Sequence, residues 1–193
     1  MNISSIKIAK IQGEYMATWN SRGLRGSTLE DIINFTNEMY EGKKLALVQK
    51  IPTPIKPITI DKEKRHITLA YFDQKSTVDY IGVVQGYPIC FDAKECGTDT
   101  FPLQNIHAHQ IEFMKAYEEQ GGVSFMILSF TKRNEFYYLR FQELIGYWSR
   151  IERGEPKNFK YKELDRNFFI SYQYGGCLNY LETLNRDLVM REQ

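Results

Sequence analysis

The run Val78-Asp79-Tyr80-Ile81-Gly82-Val83-Val84-Gln85-Gly86-Tyr87-Pro88-Ile89-Cys90-Phe91-Asp92-Ala93-Lys94-Glu95 decides how this chain is read. Two stretches rich in β-branched and aromatic residues flank Gln85-Gly86, so the spacing predicts strands over 78–84 and 87–93 joined by a tight hairpin turn. Strand side chains alternate, which sends Cys90, Asp92 and Lys94 to one face and Phe91 and Ala93 to the other. Asp92 and Lys94 are therefore neighbours, and Asp79 joins them if the register sets it opposite that end. Two carboxylates and an amine on rigid strands are minimal equipment for metal-dependent cleavage of a phosphodiester. A hard cation such as Mg²⁺ prefers oxygen ligands, the Ala93 carbonyl is a candidate third oxygen, and a lysine offsets charge building on phosphorus. The plainer alternative is a surface Asp/Lys pair, common across hairpins and worth little.

Working outward, Val123 to Phe130 is nearly all apolar, as a strand covered on both faces would be. Glu135 to Leu139 reads as an edge strand and Leu45 to Gln49 as a further strand. Helical spacing of apolar residues predicts helices over 29–40, 141–152 and 178–190. Another is expected from Pro102, placed at a first helical position, to Glu119, ending at Gly121-Gly122. The order implies an α/β fold, a mixed central β-sheet flanked by helices. Gln110 falls on the apolar face of its helix, where an amide needs a polar partner. Ser27-Thr28-Leu29-Glu30 fits a capping box in which Glu30 closes the helix start, and a metal-associated role for Glu30 comes second to that. His107 and His109, two apart on a helix, are expected to face different ways. His107, on the Gln110 side, is placed to approach a phosphate.

Between 51 and 70 the chain changes character. Ile51-Pro52-Thr53-Pro54-Ile55-Lys56-Pro57 excludes helix and central strand, and Asp61-Lys62-Glu63-Lys64-Arg65 is a polar turn. The segment is expected to be a protruding, proline-stiffened arm with a basic tip. Residues 43–75 hold eight Lys/Arg against three Asp/Glu, although the whole chain is only +1. Positive charge concentrated in one segment is the pattern of a local contact surface.

The 193 residues suit a single domain, with residues 1–19 as an N-terminal tail. No apolar run approaches the roughly 20 residues needed to span a bilayer. Three cysteines, Cys90, Cys96 and Cys177, with no C-x-x-C pair, point to a reducing, cytoplasmic setting.

Several motifs, taken in order, resemble the RecU family of bacterial Holliday-junction resolvases, nucleases of the PD-(D/E)xK superfamily. They are Ser21-Arg22-Gly23 before Thr28-Leu29-Glu30, Lys50-Ile51-Pro52-Thr53-Pro54, Ser76-Thr77-Val78-Asp79-Tyr80 and Phe91-Asp92-Ala93-Lys94-Glu95. The most specific is Phe101-Pro102-Leu103-Gln104-Asn105-Ile106-His107-Ala108-His109-Gln110-Ile111-Glu112. The resemblance covers about Asn20 to Trp148. It implies a restriction-endonuclease-like core and Mg²⁺-dependent, symmetric cleavage of four-way DNA junctions by a homodimer, in recombination and repair, with Mn²⁺ a candidate substitute ion. It implies that Thr77, Asp79, Asp92 and Gln110 surround the metal, directly or through water, and that Lys94 stabilises the transition state. The arm at 51–70 corresponds to the family's stalk, which enters the junction centre, with Lys56, Lys62, Lys64 and Arg65 as phosphate contacts. Arg22 and Arg25, on a glycine loop, are further phosphate candidates, and a recombinase partner rests on the resemblance alone. Where the family usually carries glutamate before Ala-Lys, this chain has Asp92, one methylene shorter, which is expected to shift the ion and alter metal preference. Two rival readings follow: a junction-binding or recombinase-modulating protein that has lost cleavage, and a restriction-type nuclease that cuts duplex DNA.

Overall fold

The computed structural model describes residues 28–72, 77–172 and 176–192. Arg22, Arg25 and the tail lie outside them. The elements in chain order are α1 (Leu29–Gly42), β1 (Leu47–Lys50), β2 (Ile55–Asp61), β3 (His66–Phe72), β4 (Tyr80–Val84), β5 (Tyr87–Cys96), β6 (Thr100–Pro102), α2 (Ala108–Glu119), β7 (Val123–Phe130), β8 (Glu135–Arg140), α3 (Phe141–Glu152), β9 (Asn158–Lys160), β10 (Phe169–Ile170) and α4 (Tyr180–Arg191). Six strands form one mixed sheet in the order β1-β4-β5-β7-β8-β10, with β5 and β7 parallel and the other neighbours antiparallel.

The β4–β5 hairpin turns where expected. Gln85 and Gly86 both have positive φ, 47° and 96°, the backbone of a two-residue turn whose twist matches the strands. Parallel β5 and β7 need a crossover, and α2 supplies it. Every residue of β7 is buried, the expected consequence of layers on both faces.

Those layers are visible in the side chains. On one face, Phe91 stacks between Tyr80 and Phe125 with centroids 4.8 Å apart in each pair, Phe125 stacks on Tyr138 at 4.2 Å, and Tyr180 of α4 packs at an angle against Phe91. Tyr40 of α1 meets Tyr180 edge-on. On the other face the Ser124 hydroxyl donates to the Met114 carbonyl of α2, and the Tyr137 hydroxyl donates to Glu143 of α3. Helices α1 and α4 thus cover one face, α2 and α3 the other.

Four expectations need correction. Pro102 does not start a helix: it ends β6, pairs opposite Asn158, and Leu103 N–H donates to the Lys157 carbonyl. The helix begins six residues later at Ala108. Residues 135–140 are no edge, because β10 pairs with their far side. The capping box at the start of α1 is formed by Thr28 and Asp31, which exchange backbone and side-chain bonds, so Glu30 takes no part in it. Finally, His107 and His109 do not diverge: their rings stack with centroids 5.3 Å apart, because His107 stands at the N-cap, outside the helical repeat.

The segment expected as an arm is a separate two-stranded ribbon. β2 and β3 pair only with each other among the described strands. Pro57 falls beside a register shift, where a missing N–H is tolerated. Asp61 Oδ1 accepts the Glu63 and Lys64 N–H groups, both at 3.0 Å, and Arg65 adopts a positive φ of 53°, which together close the turn.

Candidate active site

The candidate site is built by register. Tyr80 lies opposite Phe91, so Asp79, one residue before β4, lies opposite Asp92. Its carbonyl accepts the Ile51 N–H at 2.8 Å, and its Oδ2 accepts the Ala93 N–H at 2.9 Å. Asp79 is therefore fixed from two sides, although it lies just outside the strand that the sequence assigned to it. Asp92 projects from β5 toward α2 and is fully buried, 0% exposed. Its two oxygens have different partners: Oδ1 accepts Gln110 Nε2 at 2.7 Å, and Oδ2 accepts the Lys94 ammonium. Lys94 Nζ also stands 3.9 Å from Asp79 Oδ2 and 3.5 Å from the Ala93 carbonyl.

Gln110 is clamped at both ends. Its Oε1 accepts the His107 N–H at 3.0 Å, closing the start of α2, and this turns its NH₂ toward Asp92. One amide thus satisfies a helix end and a buried carboxylate together. Burial pushes the Asp92 carboxyl up to about 7; the Lys94 ammonium pulls it down and the Asp79 carboxylate raises it again.

The structure therefore brings Asp79, Asp92, Lys94 and Gln110 together on one face of the sheet. Thr77 stands two residues before Asp79, half-buried, and none of the hydrogen bonds described here involves its side chain. Glu30 is on the opposite side of β5, in α1, ion-paired to Lys50 Nζ at 2.5 Å. Thr28, Leu29, Glu30, Ala93 and Glu95 line a shallow pocket there. Glu95 was missed: its Oε1 accepts the Leu29 N–H at 2.6 Å and docks the start of α1 onto β5. The alternation that separates Asp92 from Ala93 already put Glu95 on that helix's side, a signal available in the sequence. Lys56, Lys62, Lys64 and Arg65 are all exposed on the ribbon or its turn, and His107 is exposed beside the Asp92–Gln110 pair.

The donor set suits a hard divalent cation. Oxygen atoms from Asp79, Asp92 and the Ala93 carbonyl converge, and the Lys94 ammonium already sits among all three, so a positive charge is what this space accommodates. No group of three His, Cys, Asp or Glu side chains arranged for a metal occurs among the described residues, so the candidate ligand set is two carboxylates and a backbone carbonyl.

The family profile described as RecU, Recombination protein U, matches residues 24–186. This chain belongs to the RecU family. Relatives named Holliday junction resolvase RecU include those of Levilactobacillus brevis, 42% identical over 79% of this chain and 78% of the relative, and Geobacillus kaustophilus, 45% identical over 83% of each. A third, from Leuconostoc mesenteroides, is 42% identical over 86% of this chain and 83% of its own. The match extends past Trp148, where the resemblance read from the sequence ends, to include β9, β10 and most of α4. An archaeal structure, the Holliday junction resolvase Hjc of Archaeoglobus fulgidus, is similar over 58% of this chain and 75% of its own at 10% identity, with a TM-score of 0.35, a likeness that bears on nothing further. No helix among the described residues is long and apolar enough to cross a membrane.

Proposed function

We propose that the chain is a Mg²⁺-dependent, structure-selective endonuclease that nicks four-way DNA junctions symmetrically as a homodimer in the cytoplasm, serving recombination and repair. The observation that carries this is the wholly buried Asp92, bridged to Gln110 and Lys94 with Asp79 opposite, in a member of a family whose named relatives are Holliday junction resolvases.

In this reading Asp79 and Asp92 hold the ion, with Thr77 and Gln110 contributing directly or through water. A bound Mg²⁺ supplies Lewis acidity toward the phosphate and toward water. Gln110 aims Asp92, since its own orientation is set by the His107 N–H. Lys94 exchanges its bond to Asp92 for charge developing on the phosphoryl oxygens. Glu30, which takes no part in the cap, pairs with Lys50 and so ties α1 to β1 on the other face of the sheet. The ribbon at 51–70 serves as a stalk, with Lys56, Lys62, Lys64 and Arg65 contacting phosphates inside the junction, while His107 contacts a phosphate nearer the cut. A four-way junction has twofold symmetry, and a C₂ dimer with paired sites matches it. Arg22 and Arg25, a recombinase partner and use of Mn²⁺ complete the proposal on family grounds.

The test is incubation of purified protein and Mg²⁺ with a labelled four-way junction or a linear duplex. Junction nicking that Asp79→Asn abolishes while binding persists is the expected result. Binding without cleavage under any divalent ion would instead establish a cleavage-deficient junction binder, for which Asp92 in place of the family's usual glutamate is the candidate cause. Duplex cutting at a fixed sequence would establish a restriction-type enzyme.

A further inference from the structure

The stretch that leaves β5 is bracketed by exposed lysines. Beyond Cys96 the chain runs through residues 97–99 into β6, and two other segments grip it. From one side comes the turn after β7: Thr131 N–H donates to the Cys96 carbonyl at 3.0 Å, and Arg133 forks onto Asp99 at 2.7 and 2.6 Å. From the other side comes β9: Lys160 lies opposite Thr100, Tyr161 N–H donates to the Asp99 carbonyl at 2.8 Å, and Leu103 N–H donates to the Lys157 carbonyl at 3.0 Å. Phe159 is buried and stacked on Phe101 and Tyr147 at 5.0 and 4.4 Å, so alternation along β9 turns Lys160 outward. Lys132, Lys157, Lys160 and Lys162 are all exposed.

The neighbouring acids are already committed. Asp99 is taken by Arg133, Glu135 accepts the Tyr161 hydroxyl at 2.5 Å, and Glu155 pairs with Arg153. Glu163 is shared between Arg150 at 2.7 Å and the backbone N–H of Lys160, and Asp165 accepts the Asn167 N–H at 2.9 Å. Among the described residues none of the four lysines has a carboxylate within ion-pair distance. The aromatic residues beneath them, Phe101, Phe159 and Tyr161, are buried. The surface therefore offers positive charge without the apolar centre that a protein partner would need.

We propose that these four lysines form a second phosphate track, which holds the duplex arm beside the cut site. It begins close to the chemistry: Cys96 is two residues past Lys94, about 7 Å along the strand, or roughly two base-pair rises. The ribbon and this edge then divide the DNA between them, one addressing the junction and the other the arm. This inference rests on the nuclease reading above and adds a surface that the 51–70 charge cluster does not supply.

The test compares wild type with a variant carrying Lys132→Ala, Lys157→Ala, Lys160→Ala and Lys162→Ala, by titrating junction binding against salt. Each lost phosphate contact lowers the slope of log K against log salt by about 0.9, so a decrease of roughly three to four units is expected. A variant with four arginines at these positions should keep the wild-type slope, and circular dichroism should show both variants folded. An unchanged slope in the folded alanine variant overturns the track while wild-type junction nicking leaves the nuclease reading standing. Wild type that binds neither junction nor duplex overturns both.

Discussion

Strand β5 and the β2–β3 ribbon both carry apolar side chains, yet they meet opposite surroundings. Along β5, Ile89 to Ala93 are buried, and the Asp92 carboxyl among them is satisfied by Gln110 and Lys94. On the ribbon, Ile55, Ile58, Ile60, Ile67, Leu69 and Tyr71 are 44–60% exposed. The difference is layering: β5 has a parallel neighbour, an antiparallel neighbour and helices on both faces, while among the described strands those of the ribbon pair only with each other. The first holds its side chains in fixed geometry, and the second leaves them to solvent.

That contrast can be broken most decisively by stability measurements. Phe125→Ala, which removes a fully buried ring stacked on Phe91 and Tyr138, should cost about 3–5 kcal/mol in urea unfolding, whereas Ile60→Ala should stay within about 0.5 kcal/mol. Comparable losses would show the ribbon packed against the core. Next in size is Lys94→Ala: single-turnover junction cleavage should drop about 10²–10³-fold with binding intact, and a drop under threefold would remove Lys94 from the reaction. Gln110→Ala strands the His107 N–H and one Asp92 oxygen, so about 1–3 kcal/mol of stability should go with activity; lost activity at unchanged stability would mean the amide serves the ion alone. Lys62→Ala with Lys64→Ala should leave the urea midpoint alone and lower the salt slope of binding by about two, and an unchanged slope takes the ribbon off the DNA.

The smallest expected effect is a pH trend in the core. Burial raises the Glu143 carboxyl above its ordinary value of 4.5, against hydrogen bonds from Tyr137 and Tyr147 and the nearby Arg140 guanidinium, which lower it. The folded chain therefore retains a proton that the unfolded chain has released. Stability from this group is complete below 4.5 and declines as pH rises through the higher folded value. Glu143→Gln should flatten that decline in melting temperature between those two points, and a parallel profile would show that another group causes it.

Much of this was legible because it repeats. The apolar run of β7, the Gln85-Gly86 turn and the bounds of α3 follow from pattern alone. β6, β9 and β10 are two or three residues long, too short for a period to show, and they exist because distant segments pair with them. Pro102 was misplaced for that reason, its role depending on Asn158 some fifty residues on. The capping box read at Ser27-Thr28-Leu29-Glu30 falls one residue short of the one that forms, Thr28 with Asp31, and Glu30 pairs with Lys50 instead. In the site, the alternation that joins Asp92 to Lys94 was readable. The double clamp on Gln110 was not, because it required knowing that α2 starts at Ala108.

The ribbon's independence has a practical cost. Among the described strands β2 and β3 pair only with each other, which leaves one side of each without a ladder partner there, and residues 66–72 contain no Asp, Glu, Lys or Arg to discourage a visiting strand. Stocks kept without nucleic acid should therefore associate through this hairpin first, with the charged tip at 62–65 opposing that association by repulsion.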